Sequence, residues 1–79
     1  HIRSVKYLRD EKGIRKFGKR LREVRLSKNL SQEALAWEAN IEPMQISRIE
    51  RGVINTSISQ VFNIAKALQI SPKELFDFE

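Results

Sequence analysis

Apolar residues recur at intervals of three and four between residues 14 and 28 of the chain. They are Ile14, Phe17, Leu21 and Val24, and the positions between them are mostly basic. This spacing places the apolar side chains on one stripe of an α-helix. The pattern therefore predicts a first helix from Ile14 to Lys28 whose other faces are almost wholly basic.

The next two predicted helices are marked by the residues at their ends. Ser31 is a typical N-cap for a second helix. Asn40 tolerates the left-handed backbone of a tight turn, so we expect that helix to end there. Pro43 suits the first position of a third helix because its φ is already helical. We expect this third helix to run to Arg51 and to stop at Gly52.

Two further helices are predicted by the same kind of signal. Ser57 and Gln60 have the spacing of a capping box, and an apolar series follows them. That series is Val61, Phe62, Ile64, Ala65 and Leu68. Ser71, Pro72 and Glu74 repeat the pattern of N-cap, N1 proline and N3 glutamate before a short fifth helix. No segment alternates as a strand would, so the sequence predicts an all-α domain of five helices.

The link between the second and third helices predicts a functional motif. It has about three residues, and helices joined so tightly cross steeply, as in a helix-turn-helix. Ala36 is small where the helices must approach, and Ile41 points inward from the turn. If Ile46 and Ile49 face the core, the opposite face of the third helix carries Met44, Ser47, Arg48 and Arg51.

Charge is unevenly distributed along the 79 residues, whose formal net charge is +5. Residues 1–28 contain eleven basic and three acidic residues, a net charge of +8, whereas the remaining residues carry −3. So basic a segment attracts polyanions, nucleic acid first and an anionic membrane surface second. A solvated helix face is the alternative explanation.

Composition excludes several classes of function. The chain has no Cys and one His, at position 1, so it cannot form a disulfide, a thiol nucleophile or a Cys/His zinc site. No set of nucleophile, general base and metal ligand can be assembled, so we expect neither an enzyme nor a cofactor. No apolar run approaches the length of a membrane span and nothing resembles a signal peptide, which indicates the cytoplasm.

Several spaced elements of the chain resemble the lambda-repressor-like, or XRE, helix-turn-helix regulators. The matching runs are Leu30-Ser31-Gln32-Glu33-Ala34-Leu35-Ala36, Asn40-Ile41, Ile46-Ser47-Arg48-Ile49-Glu50-Arg51-Gly52 and Ser71-Pro72-Lys73-Glu74-Leu75-Phe76. Asn55-Thr56-Ser57-Ile58 is similar to small stand-alone members, including restriction-modification controller proteins. The resemblance implies a compact five-helix domain over residues 14–79 that binds double-stranded DNA as a homodimer and regulates transcription.

The resemblance also implies roles for individual residues. In such proteins the third helix lies in the major groove, and its base-contacting positions fall here on Met44, Gln45, Ser47 and Arg48. Pro43 departs from the family pattern at a further reading position, because it offers no donor. The phosphate-contacting positions fall on Gln32, Arg51 and Asn55. Arg25 and Glu50 match an internal ion pair, and Ile54 stands where the controller subgroup often has Arg.

The ends of the chain and one tryptophan carry further predictions. The apolar terminus predicts a dimer interface formed by Leu75, Phe76 and Phe78, in preference to simple core closure. Trp37 is predicted to cover the side of the core, in preference to stacking on a base. Residues 1–13 form a basic arm, a helix extension, or a tail that contacts the minor groove or phosphates.

Two rival functions fit parts of the sequence. An antitoxin-like protein-interaction module would use the basic arm and the aromatic terminus to hold a partner protein. A membrane-surface protein would use the basic first helix, but that helix lacks the aromatic residues expected at the boundary of its polar face. DNA binding accounts for the motif, the charge and the resemblance together.

Overall fold

Three helices begin at polar side chains that accept a hydrogen bond from the first turn. In the computed structural model, which describes residues 8–79, Asp10 caps Gly13 N–H at 2.9 Å and Ser31 caps Ala34 N–H at 2.9 Å. Ser57 caps Gln60 N–H at 3.1 Å. Each cap satisfies a backbone donor that the helix itself cannot pair.

The described residues form an all-α domain, and the predicted fold class is confirmed. Its elements are α1 (Glu11–Ser27), α2 (Gln32–Ala39), α3 (Pro43–Glu50), α4 (Ile58–Leu68) and a 3-10 helix (Pro72–Phe76). No strand occurs in residues 8–79. The last element differs from the predicted α-helix because the Ser71 side chain makes no cap and Glu74 N–H bonds the Ser71 carbonyl three residues back.

Helix α1 begins three residues before the predicted position. The Asp10 cap was not recognised in the sequence, and it places Glu11 to Gly13 inside the helix rather than in an amino-terminal arm. Of the rest of the predicted arm, residues 8–10 precede the helix and end at the Asp10 cap, and residues 1–7 lie outside the described residues. Residues 11–13 are therefore a helix extension, one of the three alternatives for this segment.

One apolar core holds the helices together. Six large side chains in it have less than 2% of their surface exposed, namely Leu21, Leu35, Ile46, Ile49, Ile64 and Leu75. They come from α1, α2, α3, α4 and the 3-10 helix, so each element contributes at least one. Phe62, predicted as part of the apolar face of α4, is 57% exposed and lies outside this core.

Helix α1 crosses the carboxyl end of α3 at a close approach. A Cβ added to Gly18 would lie 2.7 Å from the Glu50 carbonyl oxygen and closer still to that of Ile49. Because those atoms belong to the backbone, any side chain at this position would push α1 away. The absence of a side chain at Gly18 thus sets the position of α3 against the domain.

Candidate nucleic-acid interface

The turn between α2 and α3 is built as the sequence predicts. Asn40 adopts the left-handed conformation, with φ of 55°, and Ile41 N–H bonds the Ala36 carbonyl at 3.0 Å. Pro43 occupies the start of α3, and α3 ends at Glu50 with Arg51 as C-cap, one residue earlier than expected. The compact turn holds α3 firmly against α2 while leaving one side of α3 uncovered.

The outer face of α3, formed by Met44, Ser47, Arg48 and Arg51, points away from the core. Met44 is 54% exposed, Arg48 and Arg51 are exposed, and Ser47 is half-buried. Arg51 Nε donates to Ser47 Oγ at 3.1 Å, and Arg48 Nη1 donates to Gln45 Oε1 at 3.3 Å. These bonds lie within the helix and at its surface, so a ligand can replace them at little cost.

Behind this face, α1, α2 and α3 meet in a cluster of polar side chains that we call the buried junction, formed by Arg25, Gln32 and Glu50. Arg25 donates from Nε and Nη2 to the two Glu50 carboxylate oxygens, at 2.6 and 2.9 Å. Its Nη1 donates to the Leu30 carbonyl at 2.8 Å. The side chains of Arg25 and Glu50 are 7% and 3% exposed, so the pair is screened from water.

The electrostatics of the junction keep Arg25 charged. Its hydrogen bonds to Glu50 raise the pKa of the guanidinium above its usual value, while burial acts in the opposite direction. The ion pair implied by the family resemblance is thus present in the structure, and it fixes the end of α3 relative to α1.

Gln32, predicted to contact a phosphate, takes part in the same junction. Its Nε2 donates to Glu50 Oε1 at 3.0 Å, and the residue is half-buried at the first position of α2. An amide nitrogen carries two hydrogens, so one bond to Glu50 leaves a second donor for another acceptor. The junction therefore orients Gln32 at the start of α2.

A basic residue that the sequence analysis missed lies beside the end of α3. Gly52 has φ of 70°, and a Cβ there would meet Arg15 Cγ at 2.7 Å. Exposed Arg15 of α1 therefore lies against the residue that follows the α3 cap, and exposed Asn55 follows in the same loop. Gly52 alone could not have indicated Arg15 in the sequence, because its positive φ favours glycine whether or not a neighbour is close. Ile54, by contrast, packs against the core.

Leu75 is not available for a dimer interface within this domain. It is 0% exposed and belongs to the core, so the prediction for this residue is wrong. The 3-10 helix is held to α1 by Arg20 Nε, which donates to the Glu74 carbonyl at 2.8 Å. The 3-10 conformation of this segment turns Leu75 inward and leaves Phe76 and Phe78 at the surface, 53% and 39% exposed.

The two exposed phenylalanines border an apolar groove. The Phe76 ring lies 5.1 Å from Phe17 and 6.4 Å from Phe78, measured between ring centroids. The groove has a volume of about 530 Å³, and its apolar walls include Leu8, Ile14, Phe17, Ile58, Phe76 and Phe78. It lies between the start of α1, the start of α4 and the carboxyl end of the chain.

Trp37 does not cover the core, contrary to prediction. It is 84% exposed, whereas Leu35, Ala36 and Ala39 of the same helix are buried. Successive residues of an α-helix are turned by about 100°, and this places Trp37 on the side of α2 away from the buried stripe. The short helix fills its inner face with smaller side chains.

Across residues 8–79, no three of the His, Asp and Glu side chains are grouped as a metal site. In the same range no helix combines the length and the apolar character needed to cross a membrane.

Comparison with known proteins places this geometry in a family. A helix-turn-helix family model matches residues 21–75, which include the turn, α3 and the buried junction. The chain belongs to the XRE family of helix-turn-helix proteins. The family assignment makes it a DNA-binding regulator rather than an enzyme, as the sequence predicts.

Individual members of the XRE family agree with the chain over most of its length. The control protein C.BamHI of Bacillus amyloliquefaciens is 49% identical over 63 residues, covering 78% of each chain. The restriction-modification controller protein C.AhdI of Aeromonas hydrophila has a TM-score of 0.78 at 44% identity, covering 80% of this chain and 96% of that one. The controller protein C.Esp1396I, solved as a tetramer on its natural 35 base-pair operator, has a TM-score of 0.79 at 31% identity, covering 86% and 90%.

Proposed function

We propose that this chain is a sequence-specific regulator of transcription that places α3 in the major groove of double-stranded DNA. The observation that supports this most directly is the division of α3 into two faces. Ile46 and Ile49 are buried, at 0% and 2% exposure, while Met44 and Arg48 point outward. A helix anchored on one side and uncovered on the other has the form that fits a major groove.

The outer face supplies chemistry for reading bases. Arg48 can donate two hydrogen bonds to guanine O6 and N7, a contact worth about 1–3 kcal/mol of discrimination. Met44 can contact a thymine methyl group, and Ser47 and Gln45 can bond to several bases. Pro43 adds no hydrogen-bond donor, so base recognition by the outer face depends chiefly on Arg48.

The residues around this face supply contacts to the DNA backbone. Gln32 has a second amide hydrogen at the start of α2, where the helix dipole favours an anion. Arg51 and Asn55 lie at and after the end of α3, and Arg15 adds a charge beside them. These contacts fix the position of α3 and give affinity that falls as salt concentration rises.

We also propose that the chain acts as a homodimer. Phe76 and Phe78 border the apolar groove, and a second copy that covers it would bury aromatic surface from both chains. Two-fold pairing sets two half-sites about one helical turn, or 34 Å, apart. By analogy with the tetramer of C.Esp1396I, we propose that two such dimers occupy one operator in the cytoplasm.

Selection of binding sites from random duplexes, followed by titration against salt, tests the function. We expect a two-fold symmetric site whose affinity falls steeply with salt. Arg48→Ala should relax the preference at one base pair of each half-site, whereas Lys66→Ala, which removes an exposed cation from α4, should not. Equal losses on selected and scrambled DNA for Arg48→Ala would exclude base reading by this residue.

A further inference from the structure

One side chain on the outer face of α3 is open to chemical modification. Met44 is 54% exposed. It is the sole methionine of the sequence, which contains no cysteine, so its thioether holds the only sulfur atom. Peroxides oxidise thioethers to sulfoxides, and exposure favours the reaction. Mild oxidation of this protein should therefore modify one defined atom, Met44 Sδ.

The fold does not depend on the Met44 thioether. Met44 is the second residue of α3 and lies on the face opposite Ile46 and Ile49, which hold the helix to the core. An oxygen added to an exposed side chain stays in contact with water and needs no buried partner. We therefore expect the domain to stay folded when Met44 is oxidised.

Oxidation reverses what Met44 offers to a base in the major groove. The thioether is apolar and only a weak acceptor, which suits contact with a thymine methyl group. The sulfoxide is polar, and its oxygen can accept a hydrogen bond from adenine N6 or cytosine N4. The oxidised side chain should therefore disfavour thymine and favour a base that presents an amino group.

The contacts that give salt-dependent affinity are unaffected by this change. A sulfoxide is neutral, so Arg15, Arg48 and Arg51 keep the charges that surround Met44. The slope of log K against log salt depends on the number of phosphates neutralised, and that number stays the same. Oxidation should thus change which site is bound while leaving the binding of DNA in general intact.

We propose that Met44 is a modification site at which a hydroperoxide converts the thioether to a sulfoxide and so changes the base preference of α3. The O–O bond of the peroxide breaks as one oxygen atom is transferred to Sδ. The sulfur gives up an electron pair, and the other oxygen leaves as water or, from an organic hydroperoxide, as an alcohol. Methionine sulfoxide reductase restores the thioether. This inference rests on the proposed function, because Met44 must lie against a base for its oxidation to alter recognition.

Bound DNA should protect Met44 from the same reaction. A major groove that receives α3 covers the outer face of the helix, so peroxide reaches Sδ chiefly in the free protein. Mass spectrometry after timed exposure to hydrogen peroxide measures the rate. We expect Met44 to be oxidised several times more slowly in protein saturated with its selected duplex than in free protein.

Selection of binding sites with reduced and with oxidised protein tests the change in preference. Met44→Ala first identifies the base pair that Met44 contacts, because the preference should relax there. At that pair, oxidised wild type should lose its preference for thymine and gain one for adenine or cytosine. The site selected by reduced protein should be bound about five- to tenfold more weakly after oxidation. Treatment with methionine sulfoxide reductase should recover the original affinity.

Met44→Leu is the matched control, because it keeps an apolar side chain at the position and removes the sulfur. The same dose of peroxide should leave its selected site unchanged. An unaltered preference in oxidised wild type, the same change in peroxide-treated Met44→Leu, equal oxidation rates with and without DNA, or unfolding of the oxidised domain would each overturn the inference. If reduced wild type selected no site at all, the proposed function would fail instead.

Discussion

In the buried junction, the Arg25 guanidinium holds both Glu50 oxygens at 2.6 and 2.9 Å and is shielded from water. On the outer face of α3, Arg48 donates one longer bond, of 3.3 Å, to Gln45 in its own helix. Removing the partner of Arg25 should cost the fold much stability, whereas removing the partner of Arg48 should cost it little. Arginine thus fixes α3 on one side and remains available to a ligand on the other.

Removal of Glu50 should have the largest effect. Glu50→Ala leaves the Arg25 charge buried without its partner, which costs about 3–5 kcal/mol. A domain of this size has about 5 kcal/mol of stability, so we expect most of the protein to unfold. Urea denaturation followed by circular dichroism measures the loss.

The matched control replaces both partners. Arg25→Met with Glu50→Leu removes the charges together and should recover much of the stability lost in Glu50→Ala. Arg48→Ala should change the free energy of unfolding by less than about 0.5 kcal/mol, as surface substitutions do. Similar losses for Glu50→Ala and Arg48→Ala would break the contrast between the two regions.

The crossing of α1 over α3 offers the next largest effect. Gly18→Ala places a Cβ against the Ile49 and Glu50 carbonyl oxygens, so α1 must move and carry Arg25 with it. We expect a loss of about 1–3 kcal/mol, seen as a fall of several degrees or more in Tm. Gly13→Ala is the control, because its Cβ meets the Asp10 side chain rather than backbone and should cost no more than the Asp10 cap, about 1 kcal/mol. Equal Tm values for the two variants would contradict a tight crossing at Gly18.

The carboxyl end allows a test that separates folding from pairing. Phe78→Ser removes an exposed ring at the groove, and we expect the dimer to dissociate about tenfold more readily while the monomer stays folded. Leu75→Ala, which empties a fully buried site, should instead reduce stability by about 2–5 kcal/mol. Analytical ultracentrifugation and thermal melts distinguish the two results. An unchanged dimer in Phe78→Ser would remove this residue from the interface.

The parts of the fold that can be predicted from the sequence are those where a single residue acts on the backbone next to it. Ser31, Asn40 and Ser57 begin or end helices through bonds to nearby backbone, and the structure confirms all three. Trp37 and Leu75 were placed wrongly because their burial depends on how elements pack together. The helical period gives the direction of a side chain, but not whether another helix lies there.

The candidate site also has some features that the sequence predicts and others that it does not. The family resemblance implied the pairing of Arg25 with Glu50, and the turn implied an outward face on α3. The place of Arg15 beside Gly52 depends on the crossing of α1 with the end of α3, so no local pattern could reveal it. The bond between Gln32 and Glu50 likewise joins residues 18 positions apart in the sequence.

Gln32 belongs to the buried junction and is also a proposed phosphate contact, so its replacement gives the smallest but most informative effect. Gln32→Ala removes a neutral donor and should weaken binding by a similar factor on all sequences. Because no cation is lost, the slope of log K against log salt should stay the same. Arg51→Ala should lower that slope by about 0.9, the value for one phosphate contact. If Gln32→Ala changes the slope as Arg51→Ala does, Gln32 acts by positioning cations through Glu50 rather than by contacting a phosphate itself.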